Sequence, residues 1–336
     1  MLKRLARNAM YRLATSEPLF GAACRRQLAG RAVALMYHEL ASDNDDIEAW
    51  TVVRRSDFLR QMDYLRKQFD VVSLPQAIAR MAQSNPADRP LVVITFDDGD
   101  RGNHDVLLPI VESMALPVTI FIATGQVQDQ QLYWFDRLVN ILQTNTPITV
   151  SLPGTLPATY VINETRGARN WKAIENLLVD LKNLAPADRE RAVEAVICHI
   201  GRRNQRSSGI APLTVNDVSA LASSSWVTIG GHSHCHNILT QIDNQAVAES
   251  VMQSKQLLEL WAGRPIRYFA YPNGDYNQSV SAAVAAAGFE AAMTTQPRIW
   301  EQGEDIYALP RMGVGRYDSL DVFKAGLLGG IGRIFR

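Results

Sequence analysis

The chain has 336 residues, 47% of them hydrophobic, enough to bury the core of one large barrel-like domain or of two smaller ones. Its 34 lysines and arginines balance 34 aspartates and glutamates, so it lacks the basic excess that nucleic-acid binding exploits, and no nucleic-acid partner is expected. The cysteines Cys24, Cys198 and Cys235, with no CxxC pair among them, exclude a disulfide framework and fit a reducing compartment.

In chain order, the first thirty residues are basic, and arginines interrupt their apolar residues too often for the continuous core of a secretory signal. No uncharged apolar run approaches the roughly 20 residues of a membrane-spanning helix. The expected location is therefore cytoplasmic, with the inner face of the membrane as a variant. Lys3, Arg4, Arg7 and Arg12 at one end and FKAGLLGGIGRIFR at the other suit peripheral contact with an anionic lipid surface, or packing of the termini on their own domain.

Short apolar runs follow at 33–37 (VALMY), 91–96 (LVVITF), 117–122 (PVTIFI), 226–230 (WVTIG), 267–271 (RYFAY) and 291–295 (AAMTT). Most are nearly continuous in hydrophobicity, as strands buried on both faces are. Helix-period segments lie between them, one with Phe58, Met62 and Leu65 on a single stripe and another with Val247, Val251 and Leu258. Ser73 with Gln76, and Thr214 with Asp217, have the spacing of helix capping boxes. This alternation predicts an α/β protein with parallel strands. Between Gly125 and Pro212 the pattern changes to a weakly apolar stretch, two helical segments around Trp171 and Arg191, and the polar run GRRNQRSSG. It reads as an insertion that covers a site, builds a partner surface, or is a structural excursion.

Chemistry concentrates at two strand ends, where functional groups gather in parallel α/β folds. Asp97 and Asp98 follow the strand at 91–96. Adjacent ionised carboxylates repel, a cost that a bound cation or a shared proton relieves, although Asp-Gly is also a common turn. WVTIGGHSHCHNILT places three of the six histidines at alternate positions after a strand and two glycines. If the chain turns helical there, His232 and His236 share a face and His234 points away; if it stays extended, all three face one way. Cys235 beside them reads as a small hydrophobe rather than a ligand. Two histidines, one carboxylate and a spare aspartate suffice for metal-assisted hydrolysis. His38, just past an earlier strand, is placed either to protonate a leaving amine or only to cap the strand edge.

These residues resemble the polysaccharide deacetylase family (carbohydrate esterase family 4, the NodB homology domain). Thr95-Phe96-Asp97-Asp98-Gly99 matches its T-F-D-D-G motif, and His232-Ser233-His234-Cys235-His236 matches H-[S/T]-x-x-H. The resemblance runs from about Val33 to Arg311, interrupted by 125–212. It implies that Asp97 is the catalytic base, that Asp98, His232 and His236 hold a divalent metal, usually zinc, and that His234 is not a ligand. The third motif, R-x-P-Y, is only partly kept as Ala270-Tyr271-Pro272-Asn273. Its arginine, which orients the base, is replaced by alanine, so Arg311 in ALPRMGV is the candidate substitute and Arg267 the fallback. Tyr271 and Asn273 are expected at the substrate and oxyanion position, since a backbone N–H serves whatever the side chain. The family's Leu-x-x-His motif is absent, and Met36-Tyr37-His38 resembles the variant acting on exopolysaccharides, in which an early histidine takes the acid's place.

The resemblance implies a distorted (β/α) barrel of the NodB type over residues 31–315, with the helical insertion at 125–212. It leaves residues 1–30 as a basic N-terminal segment and 316–336 as a basic and apolar tail. The expected activity is metal-dependent removal of N-acetyl groups from an amino sugar in a glycan or glycan precursor. Two readings compete with it: a catalytically silent carbohydrate-binding relative, and a non-haem iron oxygenase built on two histidines and a carboxylate.

Overall fold

The computed structural model describes residue 15 and residues 19–83, 89–144, 147–152, 159–162, 168–201 and 209–328. Lys3, Arg4, Arg7, Arg12, most of the polar run after Gly201, and residues 329–336 lie outside them. Among the described residues no helix is long and apolar enough to cross a membrane.

The strands are β1 (Ala32–Tyr37), β2 (Glu39–Ala41), β3 (Val52–Arg54), β4 (Asp70–Val71), β5 (Leu91–Phe96), β6 (Val118–Ile122), β7 (Ile148–Ser151), β8 (Thr159–Ile162), β9 (Val227–Gly231), β10 (Tyr268–Ala270), β11 (Ala291–Met293) and β12 (Met312–Gly313). One parallel sheet runs in the order β11-β10-β9-β6-β5-β1-β12, with β4 also paired to β5. The sheet curls, and residues 306–313 bring its two edges together. Leu309 exchanges backbone hydrogen bonds with Ala292 and Thr294 beside β11, and Met312 and Gly313 pair with Leu35 and Met36 of β1. The result is the expected distorted barrel, a curled parallel sheet surrounded by helices.

Side chains alternate across each strand, and the two faces belong to different cores. Ala32, Ala34, Val93, Phe121, Ala270 and Met293 point into the concave side, where small residues let the sheet close on itself. Val33, Leu35, Val92, Ile94, Ile120 and Ile229 point outward and are buried under helices. The stripe Phe58, Met62 and Leu65 of helix Arg55–Gln68 lies in this outer layer, as does the stripe Val247, Val251 and Leu258 of helix Asn244–Ala262. Both capping boxes form, Ser73 with Gln76 and Thr214 with Asp217.

The described parts of the terminal segments are not set apart from this layer. Phe20, Cys24 and Leu28 near one end, and Phe323, Leu327 and Leu328 near the other, are buried in the same outer core. Their apolar side chains are thus spent on the barrel rather than offered to lipid.

Helices Trp134–Thr144, Ala168–Lys182 and Pro186–Ile200, with the antiparallel pair β7–β8, build a second core around Leu138, Leu142, Ile162, Leu177 and Val193. Ala49, from the segment between β2 and β3, and Val52, the first residue of β3, pack into it and fasten this unit to the barrel.

Candidate active site

The site grows out of strand alternation. Asp97 continues the concave face of β5 after Val93 and Thr95, and its backbone N–H donates to Tyr37 O, 3.0 Å away. By the same rule Met36 and His38 continue β1, and His232 continues β9 after Thr228 and Gly230. Gly230 is required there, because a Cβ would lie 2.4 Å from the Phe121 ring and 3.0 Å from Tyr268 O.

Neither a helix nor an extended strand follows Gly231. Ser233 (φ 63°) and His236 (φ 50°) are left-handed, and the Ser233 hydroxyl accepts from the backbone N–H of His236 at 3.1 Å. This turn returns His236 to the side of His232 and sends His234 away, its Nδ1 2.9 Å from Thr124 Oγ1. Asp98 is left-handed too (φ 71°), which swings its carboxylate out of strand alternation toward the histidines. Asp98, Ser233, His236 and Asn273 are four of the six described non-glycine residues with positive φ, so backbone strain concentrates at this site.

Asp98 Oδ1 lies 3.4 Å from His232 Nε2 and 3.0 Å from His236 Nε2. All three donor atoms fall within 4.8 Å of one another. Two ligands of a tetrahedral ion, each about 2.1 Å from it, stand roughly 3.4 Å apart, so this spacing fits a divalent metal. The surroundings fit as well. Ala270 O, 2.7 Å from His232 Nδ1, can only accept, so the proton sits on Nδ1 and the Nε2 lone pair faces the cluster. Phe135 and Tyr133 pack on the His236 ring, with centroids 5.1 and 5.2 Å away. Burial pushes the Asp98 carboxyl up, but the facing His236 and His232 outweigh it and hold Asp98 well below the usual carboxylate range.

Asp97 is bound by Arg311 in a fork, Nη1 to Oδ1 at 2.6 Å and Nη2 to Oδ2 at 2.7 Å. Arg311 is fully buried, donates from Nε to Thr294 O at 3.0 Å and from Nη1 to Thr95 Oγ1 at 3.1 Å, and lies over the Phe121 ring. Burial raises the Asp97 pKa, yet the Arg311 charge, aided by His232, brings it below its ordinary value, so Asp97 is ionised. Arg267 is at the surface, paired with Glu290. Of the two candidate arginines, Arg311 is the one that reaches Asp97.

His38 opens on the same cavity with its ring edge against Trp50, and burial lowers its pKa. Its Nδ1 is buried without a hydrogen-bond partner. Asn273 also lines the cavity, left-handed in the turn Pro272–Gly274. Tyr271 does not, which corrects its expected place at the substrate. It follows Phe269 on the outward face of β10, its hydroxyl donates to Tyr307 O at 2.9 Å, and its backbone N–H donates to Met293 O at 3.1 Å. Tyr271 therefore has neither donor to spare.

The cavity above these groups has a volume of about 350 Å³. The insertion forms one of its walls through Trp134, Phe135, Trp171, Lys182 and Arg189. None of these was singled out from the sequence as a site residue, although the aromatic run Tyr133-Trp134-Phe135 inside a polar stretch is a visible signal. Asp136 belongs to a buried acidic group with Glu39 and Asp100 beneath Asp98. Burial pushes all three carboxyls up, Glu39 to about 8, and neighbouring carboxylates add to it: Asp45 and Asp105 at Glu39, Asp136 and Glu39 at Asp100, Asp98 and Glu39 at Asp136.

Residues 181–292 match the family model for polysaccharide deacetylase, a stretch that includes His232 and His236 and begins after Asp97 and Asp98. No curated protein matches the chain. Three solved structures share its fold. Streptococcus pyogenes deacetylase PplD, in complex with acetate, is 15% identical with a TM-score of 0.56, over 87% of this chain and 95% of that one. IcaB from Ammonifex degensii is 16% identical with a TM-score of 0.56, over 89% and 97%. A de-N-acetylase from Aggregatibacter actinomycetemcomitans is 15% identical with a TM-score of 0.54, over 88% and 99%. At these identities the likeness is one of fold, a distorted (β/α) barrel shared with known deacetylases, and the family model for polysaccharide deacetylase matches the part of the chain that carries His232 and His236.

Proposed function

We propose that this protein is a zinc-dependent hydrolase that removes N-acetyl groups from an amino sugar of a polysaccharide or glycan precursor. The observation that carries this reading is the opening of the Arg311-bound Asp97 and of the Asp98, His232 and His236 cluster onto one cavity. Asp98, His232 and His236 would hold the ion, whose two imidazoles and one carboxylate suit zinc with a position left for water or substrate. When bound, the ion supplies Lewis acidity, polarising an acetyl carbonyl and acidifying a water.

The chain's own residues do the rest. Asp97 takes the proton of the attacking water, since each of its oxygens keeps a lone pair beyond the one that accepts from Arg311. Arg311 fixes the carboxylate plane and keeps it charged in a buried setting. His38 gives a proton to the departing amine, and the backbone N–H of Asn273 donates to the developing oxyanion. Acetate and a free amino sugar result.

Arg311 removes the main support for a catalytically silent relative, which was the altered third motif. An iron oxygenase would leave the Asp97 and Arg311 pair without a task. The test is acetate release from N-acetylhexosamine polymers, lipid-linked precursors and sugar nucleotides, with added zinc and with chelator. Zinc-loaded protein that releases acetate from none of them overturns the proposal.

A further inference from the structure

Among the described residues, two cations on the insertion wall stand outside any ion pair. Lys182 ends helix Ala168–Lys182, and its Nζ donates to a neutral partner, Asn273 Oδ1, at 3.1 Å. Arg189, in the first turn of helix Pro186–Ile200, is 4% exposed; its Nη2 donates to Asn237 Oδ1 at 3.1 Å and its guanidinium lies 5.2 Å from the Trp134 ring centre. Among the described residues no carboxylate lies within ion-pair distance of either.

The carboxylates of the cavity are engaged elsewhere. Asp97 is bound by Arg311, Asp98 faces the two histidines, and Glu175 is paired with Lys172 at 2.9 Å. Burial drives Asp136 toward its neutral form. Asp275, which lies toward Lys182, is hydrogen-bonded to Asn273 Nδ2 at 2.6 Å. Burial lowers the pKa of both cations; Asp98 and Asp275 oppose it at Lys182 and Glu190 at Arg189, while the charge of Arg189 adds to the lowering of Lys182. Two partly desolvated like charges on one wall raise the free energy of the empty cavity, and an anion between them relieves it. A neutral glycan can accept hydrogen bonds from both side chains but leaves their charges uncompensated, whereas an oxyanion accepts the bonds and compensates the charges.

We propose that Lys182 and Arg189 form an anion subsite, and that the amino sugar processed here carries an oxyanionic group, phosphoryl or carboxylate, beside the N-acetyl group. This rests on the deacetylase reading for the chemistry, but not for the binding. The aromatic faces of Trp50 and Trp171 on the same cavity supply flat apolar surface for the sugar rings.

The zinc-loaded full chain is compared as wild type, Lys182→Met, Arg189→Met, the double variant, and Arg189→Lys, which keeps the charge. Acetate release is measured on the methyl glycoside of N-acetylglucosamine, on N-acetylglucosamine 1-phosphate, and on a disaccharide of N-acetylglucosamine with a uronic acid. Calorimetric binding of N-acetylglucosamine 1-phosphate is measured alongside. The expected result is a preference in kcat/KM of at least tenfold for one or both charged substrates, falling as salt is raised, abolished in the double variant and largely kept in Arg189→Lys. Equal turnover of charged and neutral substrates by the wild type overturns the proposal, as does a preference that the double variant retains. If no substrate releases acetate but the sugar phosphate binds, and the double variant binds it at least tenfold more weakly, the deacetylase reading fails and the subsite stands.

Discussion

Asp97 and Arg311 stand 214 positions apart in the chain and meet through two parallel charge-assisted hydrogen bonds of 2.6 and 2.7 Å, both side chains buried. The meeting is made by the seam of the barrel. Residues 306–313 pair with β11 at Leu309 and with β1 at Met312 and Gly313, so Arg311, between the two pairings, is directed into the concave side.

Removing the guanidinium with Arg311→Met leaves a buried carboxylate without its partner, and this is expected to destabilise the protein by about 3–5 kcal/mol. Arg311→Lys keeps the charge but loses the fork. It should retain most of the stability while kcat falls by about tenfold or more through the misplaced base. Urea unfolding and steady-state kinetics on the two variants separate the effects.

The two adjacent aspartates have separable tasks. Asp97→Asn should keep stoichiometric zinc and lose at least about 100-fold in kcat, as removal of a general base does. Asp98→Asn should lose zinc affinity itself, and activity should return in part at high zinc. Metal analysis after dialysis, with acetate release at graded zinc, checks both; equal zinc retention by the two variants contradicts the division.

His38→Gln tests the proton donor. It should lower kcat by about 100-fold or more on amide substrates with zinc content unchanged. An ester analogue, whose leaving alcohol needs protonation less, should be affected much less. If both substrates suffer equally, His38 positions something rather than donating.

Glu39 gives a pH signature in stability. Its Oε1 accepts from Gly102 N–H at 3.2 Å, Oε2 is buried without a partner, and burial raises its pKa to about 8. An unfolded chain ionises it near 4.3, so between about 4.3 and 8 the folded state holds a proton that the unfolded state has lost. Its effect on stability is therefore most favourable below that window and worsens as pH rises through it. Glu39→Gln keeps the acceptor for Gly102 and cannot ionise. Its Tm should match wild type near pH 4.5 and exceed it by a few degrees at pH 9; a constant difference across pH would contradict the assignment.

Gly230→Ala places a Cβ 2.4 Å from the Phe121 ring and 3.0 Å from Tyr268 O, so side chain or strand must shift. The expected cost is about 1–3 kcal/mol, with weakened zinc binding because His232 follows two residues on. Thermal unfolding in zinc and in chelator measures both parts.

Much of this could be read from the chain alone, because it depends on local order. Nearly continuous apolar runs marked the strands of the parallel sheet, the stripes on helices Arg55–Gln68 and Asn244–Ala262 marked their buried faces, and Ser73 and Thr214 marked helix starts. The motifs Thr95 to Gly99 and His232 to His236 marked the residues that meet at the cavity because each lies within a few positions of one strand end. Strand alternation was legible as well, and it would have placed Tyr271 with Phe269 on the helix-covered face rather than at the substrate.

Other features have no local cause. The left-handed turn at Ser233 and His236 brings together the two histidines that helical spacing also pairs, but by a backbone that is neither helix nor strand. Arg311 was one of two arginines near late strands until closure of the barrel buried it against Asp97 and left Arg267 paired with Glu290 in solvent. Lys182 and Arg189 line the same cavity as Asp98, His232 and His236 only because the insertion folds around its own core and is fastened to β3 through Val52. Periodicity and capping act over a few residues and are written in sequence order, whereas a partner across a cavity is set by how the whole sheet curls, which no local pattern records.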